Sequence, residues 1–288
     1  PHTEKIAVIG SGPAGLTCAY YLALKGYPVT VFEKEKELGG MLTLGIPSFR
    51  LEKDVIRAEI DILRDLGVQF KTGVAVGTDI TLDALRAEGF KAFYLAVGAS
   101  RGAKLRCPGE ELPGVMTGID FLRAVNLGEA PAIGTSVAVI GGGNTAMDAA
   151  RLAKRSGADH VTLVYRRTRK YMPADEHELT LALQDGVTFA ELAAPMKQAD
   201  GVLTCEKMVL GEADASGRRS PVGSGEFFDI PCDLVISAVG EQVDSALMAA
   251  NGIEVDKKGR PAFQTNLPGV YAAGDATRGP ATVVEGIA

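Results

Sequence analysis

The sequence predicts an α/β fold of two domains, each a parallel sheet flanked by helices with small antiparallel excursions, the second inserted into the first. Two observations lead to this prediction. Strands and helices alternate along most of the 288 residues, as in parallel sheets with helical crossovers. The stretch AVIGSGPAG (residues 7–15) returns as AVIGGGNTA (residues 138–146), a shift of 131 residues from Gly10 to Gly141. The predicted domains are residues 1–130 with 236–288, and residues 131–235.

The elements of the first domain follow from hydrophobic runs and from glycine stop signals. The predicted strands are residues 6–9, 27–34, 68–77 and 92–100, the last ending in a glycine turn. The predicted helices are residues 13–25, 54–66 and 81–88. Beyond the inserted domain, residues 269–276 form a last strand and a closing helix begins near Ala281.

The second domain repeats the strand–turn–helix–strand order of the first. Ahead of it, at the end of the first predicted domain's residues 1–130, a helix at residues 119–127 lies in an otherwise loop-like stretch, residues 108–134. The later predicted elements are strands at 137–141, 161–167, 186–192, 203–210 and 233–240, with a helix at 145–156. The polar, Gly- and Ser-rich residues 211–226 are predicted to form a surface loop, the tip of a hairpin.

Composition restricts the class of protein. Hydrophobic residues make up 46% and charged residues 23%, typical of a globular chain, and the net charge of −6 argues against nucleic-acid binding. The cysteines, Cys18, Cys107, Cys205 and Cys232, form no CxxC pair, so we expect reduced thiols, no metal site and a cytoplasmic location. Pro1 closely precedes the first strand and the chain stops inside a predicted helix, so we expect a piece of a longer protein.

Gly10, Gly12 and Gly15 form G-x-G-x-x-G between the first strand and the first helix, the turn of Rossmann-like, dinucleotide-binding folds. The first glycine permits a tight turn, the second permits approach of a diphosphate, and the third permits close helix packing. The helix N-terminus then provides amides for phosphate. Glu33 ends the second strand, where a carboxylate can accept hydrogen bonds from a ribose. From its position alone, Arg50 is equally a surface charge or a phosphate partner.

The second turn differs at its strand end. Gly141, Gly143 and Ala146 give G-x-G-x-x-A, and the following strand ends in Tyr165, Arg166 and Arg167 rather than in a carboxylate. Two guanidinium groups suit the 2′-phosphate of NADP. The alternative is that both arginines are solvated charges of the basic stretch RRTRK.

The C-terminal stretch VYAAGDATRGPATVVEGIA resembles the second flavin-binding motif of flavoproteins with two dinucleotide-binding domains. The resemblance implies that Gly274 and Asp275 contact FAD, with Asp275 binding its ribityl chain. It also implies that amides near Thr282 and Val283 face the pyrimidine edge of the flavin, where a helix N-terminus stabilises negative charge.

GGGNTAMD, VYRR followed by MP, and GIPSFRLEKDV resemble the small (β) subunit of glutamate synthase and the flavin-plus-nicotinamide part of dihydropyrimidine dehydrogenase. The implied FAD contacts are Ser11, Gly12, Pro13, Ala14, Gly15, Glu33, Lys34, Gly40, Met41, Arg50 and Val76. The implied NADPH contacts are Gly143, Asn144, Thr145, Arg166, Arg167, Ala238, Val239 and Gly240. These relatives carry a cysteine-rich iron–sulfur segment before the first strand, which this chain does not contain, and it also lacks the cysteine pair of disulfide reductases.

The resemblance implies hydride transfer from NADPH, rather than NADH, to FAD and onward electron transfer to iron–sulfur clusters of a larger enzyme. The cofactors carry this chemistry, so no catalytic side chain is assigned. Two alternatives stay open at this point. One is a stand-alone oxidoreductase with a small-molecule acceptor, and the other is a non-catalytic nucleotide-binding module.

Overall fold

The computed structural model describes residues 2–213, 217 and 219–287. The chain forms two compact units, Pro1–Arg101 with Glu241–Ala288, and Gly102–Gly240. The second unit is therefore inserted into the first. Its limits differ from the predicted 130/131 and 235/236, because residues 102–130 contribute a strand and a helix to the second unit.

The first part of the first unit begins with a strand–helix–strand sequence and ends where the chain passes into the second unit. Its elements are β1 (Lys5–Ile9), α1 (Pro13–Leu24), β2 (Val29–Glu33), α2 (Met41–Leu44), α3 (Lys53–Asp65), β3 (Gln69–Thr72), α4 (Leu82–Ala87), β4 (Phe90–Leu95) and β5 (Arg101–Gly102).

The second unit repeats this pattern and adds three long antiparallel strands. Its elements are β6 (Val115–Thr117), α5 (Gly118–Asn126), β7 (Ser136–Ile140), α6 (Asn144–Arg155), β8 (His160–Tyr165), a 3₁₀ turn (Arg169–Tyr171), α7 (Glu176–Gln184), β9 (Thr188–Glu191), β10 (Ala193–Ala199), β11 (Val202–Ala213), β12 (Arg219–Pro231) and β13 (Leu234–Ser237). The chain then returns to the first unit through β14 (Glu241–Gln242), α8 (Ala246–Ala250), β15 (Val270–Ala272), α9 (Asp275–Arg278) and α10 (Val283–Ile287).

Each unit is built on a five-stranded parallel sheet. The strand order is β15-β4-β1-β2-β3 in the first unit and β6-β13-β7-β8-β9 in the second. The central strands are rich in apolar residues, and all five residues of β2 are buried. This is the pattern of strands covered by helices on both faces. In both units the strand at the centre of the sheet is followed by a short turn and a helix: β1 leads into α1, and β7 leads into α6.

The helices pack according to their sequence patterns. The buried positions of α3 are Ile56, Ile60 and Leu63, one face of a helix at i, i+4 and i+7. In contrast, α1 buries only small residues, namely Ala14, Gly15 and Ala19. Small side chains let this helix lie close to its sheet, which brings its N-terminus near the end of β1.

Several parts of the second unit depart from the prediction. The helix α7 and the strand β10 were not predicted at all, and two stretches predicted as loops contain strands. The loop-like stretch 108–134 contains β6, which pairs in parallel with β13. The predicted surface loop 211–226 is instead largely strand, because β11 reaches Ala213 and β12 starts at Arg219; residues 214–216 and 218 of that stretch lie outside the described residues. The prediction of a hairpin is confirmed, but its strands are longer than predicted. The sequence did not signal β12, because this strand is polar and exposed and lacks the alternation typical of a strand. No helix in the described part of the chain is long and apolar enough to cross a membrane.

Candidate functional site

The two glycine turns have the same backbone construction. In the first unit the amide of Gly10 donates to the carbonyl of Phe32, at 2.8 Å, and the amide of Ala96 donates to that of Ile9, also at 2.8 Å. In the second unit Gly141 donates to Val164, at 3.0 Å, and Ala238 donates to Ile140, at 2.8 Å. The repeat read from the sequence therefore corresponds to a repeated hydrogen-bond pattern, and it makes Tyr165 the counterpart of Glu33.

The first glycine of each turn is required for packing. A Cβ on Gly10 would come within 2.3 Å of the carbonyl oxygen of Ala96, and φ is +106°. A Cβ on Gly141 would come within 2.2 Å of the carbonyl oxygen of Ala238, and φ is +146°. Only glycine adopts these angles without strain. The stretches Ala96–Gly98 and Ala238–Gly240 thus have the same role, and their shared letters AVG are the sequence signal for it.

The second glycine of each turn meets open space. Neither Gly12 nor Gly143 has any atom within 4 Å of the position that a Cβ would occupy. These residues are the N-caps of α1 and α6, and neither helix has a side-chain cap. First-turn amides without a capping side chain suit a phosphate group. Both turns therefore fit the diphosphate of a dinucleotide, with Pro13, Ala14 and Gly15 beginning α1 and Asn144, Thr145 and Ala146 beginning α6.

In the first unit, Glu33 and Ser11 form a buried hydrogen-bond network beside the turn. The Oε2 atom of Glu33 accepts from the amide of Ser11, at 2.9 Å, and from its hydroxyl, at 2.5 Å. The Oε1 atom accepts from the amide of Glu35, at 2.9 Å. The hydroxyl of Ser11 in turn accepts from the amide of Gly39, at 3.1 Å. Glu33 thus ends β2 at the predicted place, and Oε1 retains acceptor capacity for a ribose hydroxyl.

The segment after β2 approaches the turn closely. A Cβ on Gly40 would lie 2.8 Å from the Cα of Gly12, so the two backbones are in contact, and Met41 begins α2 directly afterwards. Lys53 fixes this segment, because its ammonium donates to the carbonyl of Leu42, at 2.9 Å, and to that of Ile46. Lys53 was not among the predicted site residues, because a lysine at the start of a helix carries no signal of such contacts in the sequence.

The remaining residues predicted to contact FAD have different environments. Lys34 and Arg50 are exposed, and Val76 is buried in the hydrophobic core of the first unit, which leaves its backbone for a ligand. Gly274 packs against α1, since a Cβ there would lie 2.8 Å from the Cβ of Ala14. Asp275 therefore starts α9 close to the first turn of α1.

Asp275 is a partly buried carboxyl group. Burial raises its pKa to about 6, and the amide of Ala281 and the charge of Arg278 act in the opposite direction. A carboxyl group with such a pKa can exchange hydrogen bonds with hydroxyl groups, as a ribityl chain requires.

The start of α10 differs from the expectation for the flavin edge. The amide of Thr282 donates to Oε2 of Glu285, at 2.9 Å, and the amide of Glu285 donates back to the hydroxyl of Thr282, at 3.3 Å. This is a capping box. The amide of Thr282 therefore already donates to Glu285, in the cap that precedes α10. Val283 is the first residue of the helix itself.

In the second unit, Tyr165 takes the place of Glu33 and Gly142 takes the place of Ser11. The Tyr165 ring is buried against Gly142, where a Cβ would lie 2.5 Å from the ring. Within the described part of the chain, the residue at the position of Glu33 is therefore a tyrosine and not a carboxylate. Arg166 is exposed, Arg167 is partly exposed, and Ala238 is buried with Val239 exposed beside it. The contact between Tyr165 and Gly142 was not predicted. Its one signal in the sequence is that glycine stands at position 142, where the first turn has Ser11.

The cysteines carry no disulfide. All four are free thiols, and burial raises the pKa of Cys18 and of Cys205 to about 12 and that of Cys232 to about 11. Thiols with such pKa values are weak nucleophiles at neutral pH. Among the residues that the structure describes, no group of three or more His, Cys, Asp or Glu side chains is placed to hold a metal ion.

Comparison with known proteins agrees with this arrangement. Residues 4–288 match the family described as pyridine nucleotide-disulphide oxidoreductase. Over 99% of its length the chain is 42% identical to the β subunit of the NADP(+)-dependent formate dehydrogenase of Moorella thermoacetica, and it spans 42% of that protein. Over 98% of its length it is 38% identical to a putative glutamate synthase (NADPH) small chain of Cereibacter sphaeroides, and it spans 73% of that chain.

Solved structures share the fold. FprA of Mycobacterium tuberculosis in complex with NADPH matches with a TM-score of 0.82 over 99% of this chain and 82% of that one, at 21% identity. The fold of this chain is thus a known one.

Proposed function

The chain belongs to the pyridine nucleotide-disulphide oxidoreductase family, and from this we infer that it is the NADPH-oxidising part of a larger electron-transfer enzyme. It is an FAD-dependent oxidoreductase of NAD(P)H. We assign FAD to the first unit and NADPH to the second, with iron–sulfur clusters outside this chain as the next electron carriers.

One observation carries the assignment of the two nucleotides. The two turns have the same backbone construction, but β2 ends in Glu33 whereas β8 ends in Tyr165 followed by Arg166 and Arg167. A carboxylate accepts hydrogen bonds from ribose hydroxyls and repels a 2′-phosphate, and guanidinium groups attract that phosphate. The first unit therefore suits a dinucleotide without a 2′-phosphate, and the second suits NADPH.

The protein binds and orients the nucleotides. FAD, when bound, supplies the ability to accept a hydride and to release single electrons. At the first turn, Gly12 leaves room for the diphosphate, the α1 amides bind it, and Glu33 accepts from the ribose. Lys53 holds the α2 segment against the turn. Asp275 provides the carboxyl group for the ribityl hydroxyls.

The names of the relatives support an electron acceptor outside this chain. The Moorella relative is named as a subunit and the Cereibacter relative as a small chain, which is how parts of larger enzymes are named. Burial raises the pKa of three of the thiols, which does not favour thiol–disulfide exchange by this chain.

Anaerobic reduction of the bound flavin tests the nucleotide assignment. We expect NADPH to bleach the flavin absorption more efficiently than NADH. Arg166→Ala should reduce that preference about ten- to hundredfold, the value of one charge-assisted contact to phosphate. Arg57→Ala is the matched control, since Arg57 is an exposed arginine in the first unit, paired with Asp54. Equal efficiency of NADH and NADPH with the parent chain would contradict the assignment.

Iron and labile sulfide in the full-length protein test the electron acceptor. We expect both to be present, and we expect the described chain alone to reduce artificial acceptors with NADPH. A full-length protein that is active without iron would favour a stand-alone oxidoreductase. A colourless protein that binds nucleotides without reducing any acceptor would favour a non-catalytic module.

A further inference from the structure

Tyr165 occupies the position at which the first unit has its ribose-binding carboxylate. The side chain is 6% exposed, and its ring lies against the Cα of Gly142. Its hydroxyl donates to the carbonyl of Tyr171, at 2.7 Å. The ring and the hydroxyl therefore contact two different parts of the chain, the glycine turn and the 3₁₀ turn that follows β8.

A second contact closes the same segment. The amide of Ala174 donates to the carbonyl of Gly142, at 3.0 Å. Residues 166–174, which we call the arginine segment, are thus tied at both ends to one residue of the glycine turn, through the Tyr165 ring at one end and through Ala174 at the other. The segment is short, and Arg166 follows Tyr165 directly, so the contacts of Tyr165 place the backbone of Arg166 beside the glycine turn.

The other arginines of this segment have partners within the protein. The Nε atom of Arg167 donates to the carbonyl of Arg219, at 3.4 Å, and Arg169 pairs with Glu176, at 3.1 Å. Arg166 is exposed, and its side chain has no hydrogen bond or ion pair with any residue that the structure describes. Its whole guanidinium group is therefore available to a ligand.

From this geometry we propose that Tyr165 is a positioning residue that places Arg166 for the 2′-phosphate of NADPH. The proposal rests on the proposed function of the second unit. The Tyr165 ring takes the place of a carboxylate at the ribose position, and the hydroxyl ties the 3₁₀ turn of the arginine segment to Tyr165. Arg166 contacts the phosphate, and Tyr165 acts through it.

Binding of two nucleotide fragments tests the proposal without requiring turnover. The probes are adenosine 2′,5′-bisphosphate and adenosine 5′-monophosphate, which differ only in the 2′-phosphate, measured by calorimetry with the flavin-loaded protein. Tyr165→Phe keeps the ring and removes the hydrogen bond to Tyr171. We expect it to weaken binding of the bisphosphate about three- to tenfold, the value of one hydrogen bond, and to leave binding of the monophosphate unchanged. Tyr21→Phe, at an exposed tyrosine of α1, is the control.

A double-mutant cycle with Arg166→Ala separates positioning from a merely structural role. In the Arg166→Ala background, Tyr165→Phe should have no further effect on bisphosphate binding. Equal weakening of both probes, or additive effects of the two substitutions, would overturn the proposal and leave Tyr165 with a packing role. A parent protein that binds both probes equally would instead contradict the assignment of NADPH to this unit, so the two failures are distinguishable.

Discussion

Gly10 and Gly12 lie two residues apart, and we expect valine at the two positions to cause opposite defects. At Gly12 the added Cβ meets no atom within 4 Å, and φ is −70°. The cost to the fold is a poorer N-cap, about 1 kcal/mol, offset by about 0.4–1 kcal/mol from a stiffer unfolded chain. Gly12→Val should therefore leave the stability of the flavin-free protein within about 1 kcal/mol of the parent. It should abolish flavin binding, because the side chain occupies the path of the diphosphate.

At Gly10 we expect the main effect of valine to be on the stability of the fold. A φ of +106° costs a side chain about 1–2 kcal/mol, and the 2.3 Å approach to the carbonyl of Ala96 adds about 1–3 kcal/mol of overpacking. Gly10→Val should destabilise the flavin-free protein by about 3 kcal/mol, a large part of the stability of a typical domain.

The assay is the flavin-to-protein absorbance ratio after purification, together with urea unfolding of the flavin-free proteins. Gly143→Val is the matched control in the second unit, where the Cβ also meets open space. It should keep the flavin and lose NADPH binding. Full flavin content in Gly12→Val would refute the placement of the diphosphate, and unchanged stability in Gly10→Val would refute the packing argument.

Two further predictions concern charged groups. Burial raises the pKa of Asp275 to about 6, so the folded flavin-free chain binds a proton that the unfolded chain releases. Its stability should therefore fall as the pH rises from about 4 to about 6. Asp275→Asn should remove this slope and stabilise the flavin-free protein at neutral pH by about 1 kcal/mol, discounted because the group is half exposed; an unchanged slope in urea unfolding would contradict it. Arg151 is buried between Glu178 and Asp185, at 3.7 Å and 2.9 Å. Burial acts to raise the pKa of Asp185, but hydrogen bonds from Arg151 and Arg155 outweigh it and lower that pKa. The stabilisation from this ion pair is therefore present above about pH 4 and is lost in acid. Arg151→Ala should cost about 3 kcal/mol in thermal or urea unfolding, whereas Arg57→Ala, at an exposed pair, should cost under about 1 kcal/mol, and similar losses for both would contradict the importance of burial.

The sequence was sufficient for the features that depend on neighbouring residues. The spacing of Gly10, Gly12 and Gly15, and its repetition at Gly141, Gly143 and Ala146, identified both turns and the repeat. A glycine turn between a strand and a helix is specified within a dozen residues, by backbone angles and helix capping. The residue that ends each second strand, Glu33 or Tyr165, was readable for the same reason.

The tertiary structure decided what depends on distant residues. The strand β6 was hidden because its three residues become a strand only by pairing with β13, more than 100 residues later. That pairing moved the boundary between the units. The length of β12 was hidden because an exposed edge strand needs no apolar alternation. The amide of Thr282 was expected to face a flavin and is engaged by Glu285.

The supporting contacts of the two turns also required the fold. Lys53 and the α2 carbonyls, Tyr165 and Gly142, and Gly274 and Ala14 are pairs whose members give no sign of each other in the sequence. Local sequence determines where a chain can turn and which charge stands at a strand end. Which side chains then fill and fix that turn depends on packing between segments far apart in the chain, and only the folded structure contains that information.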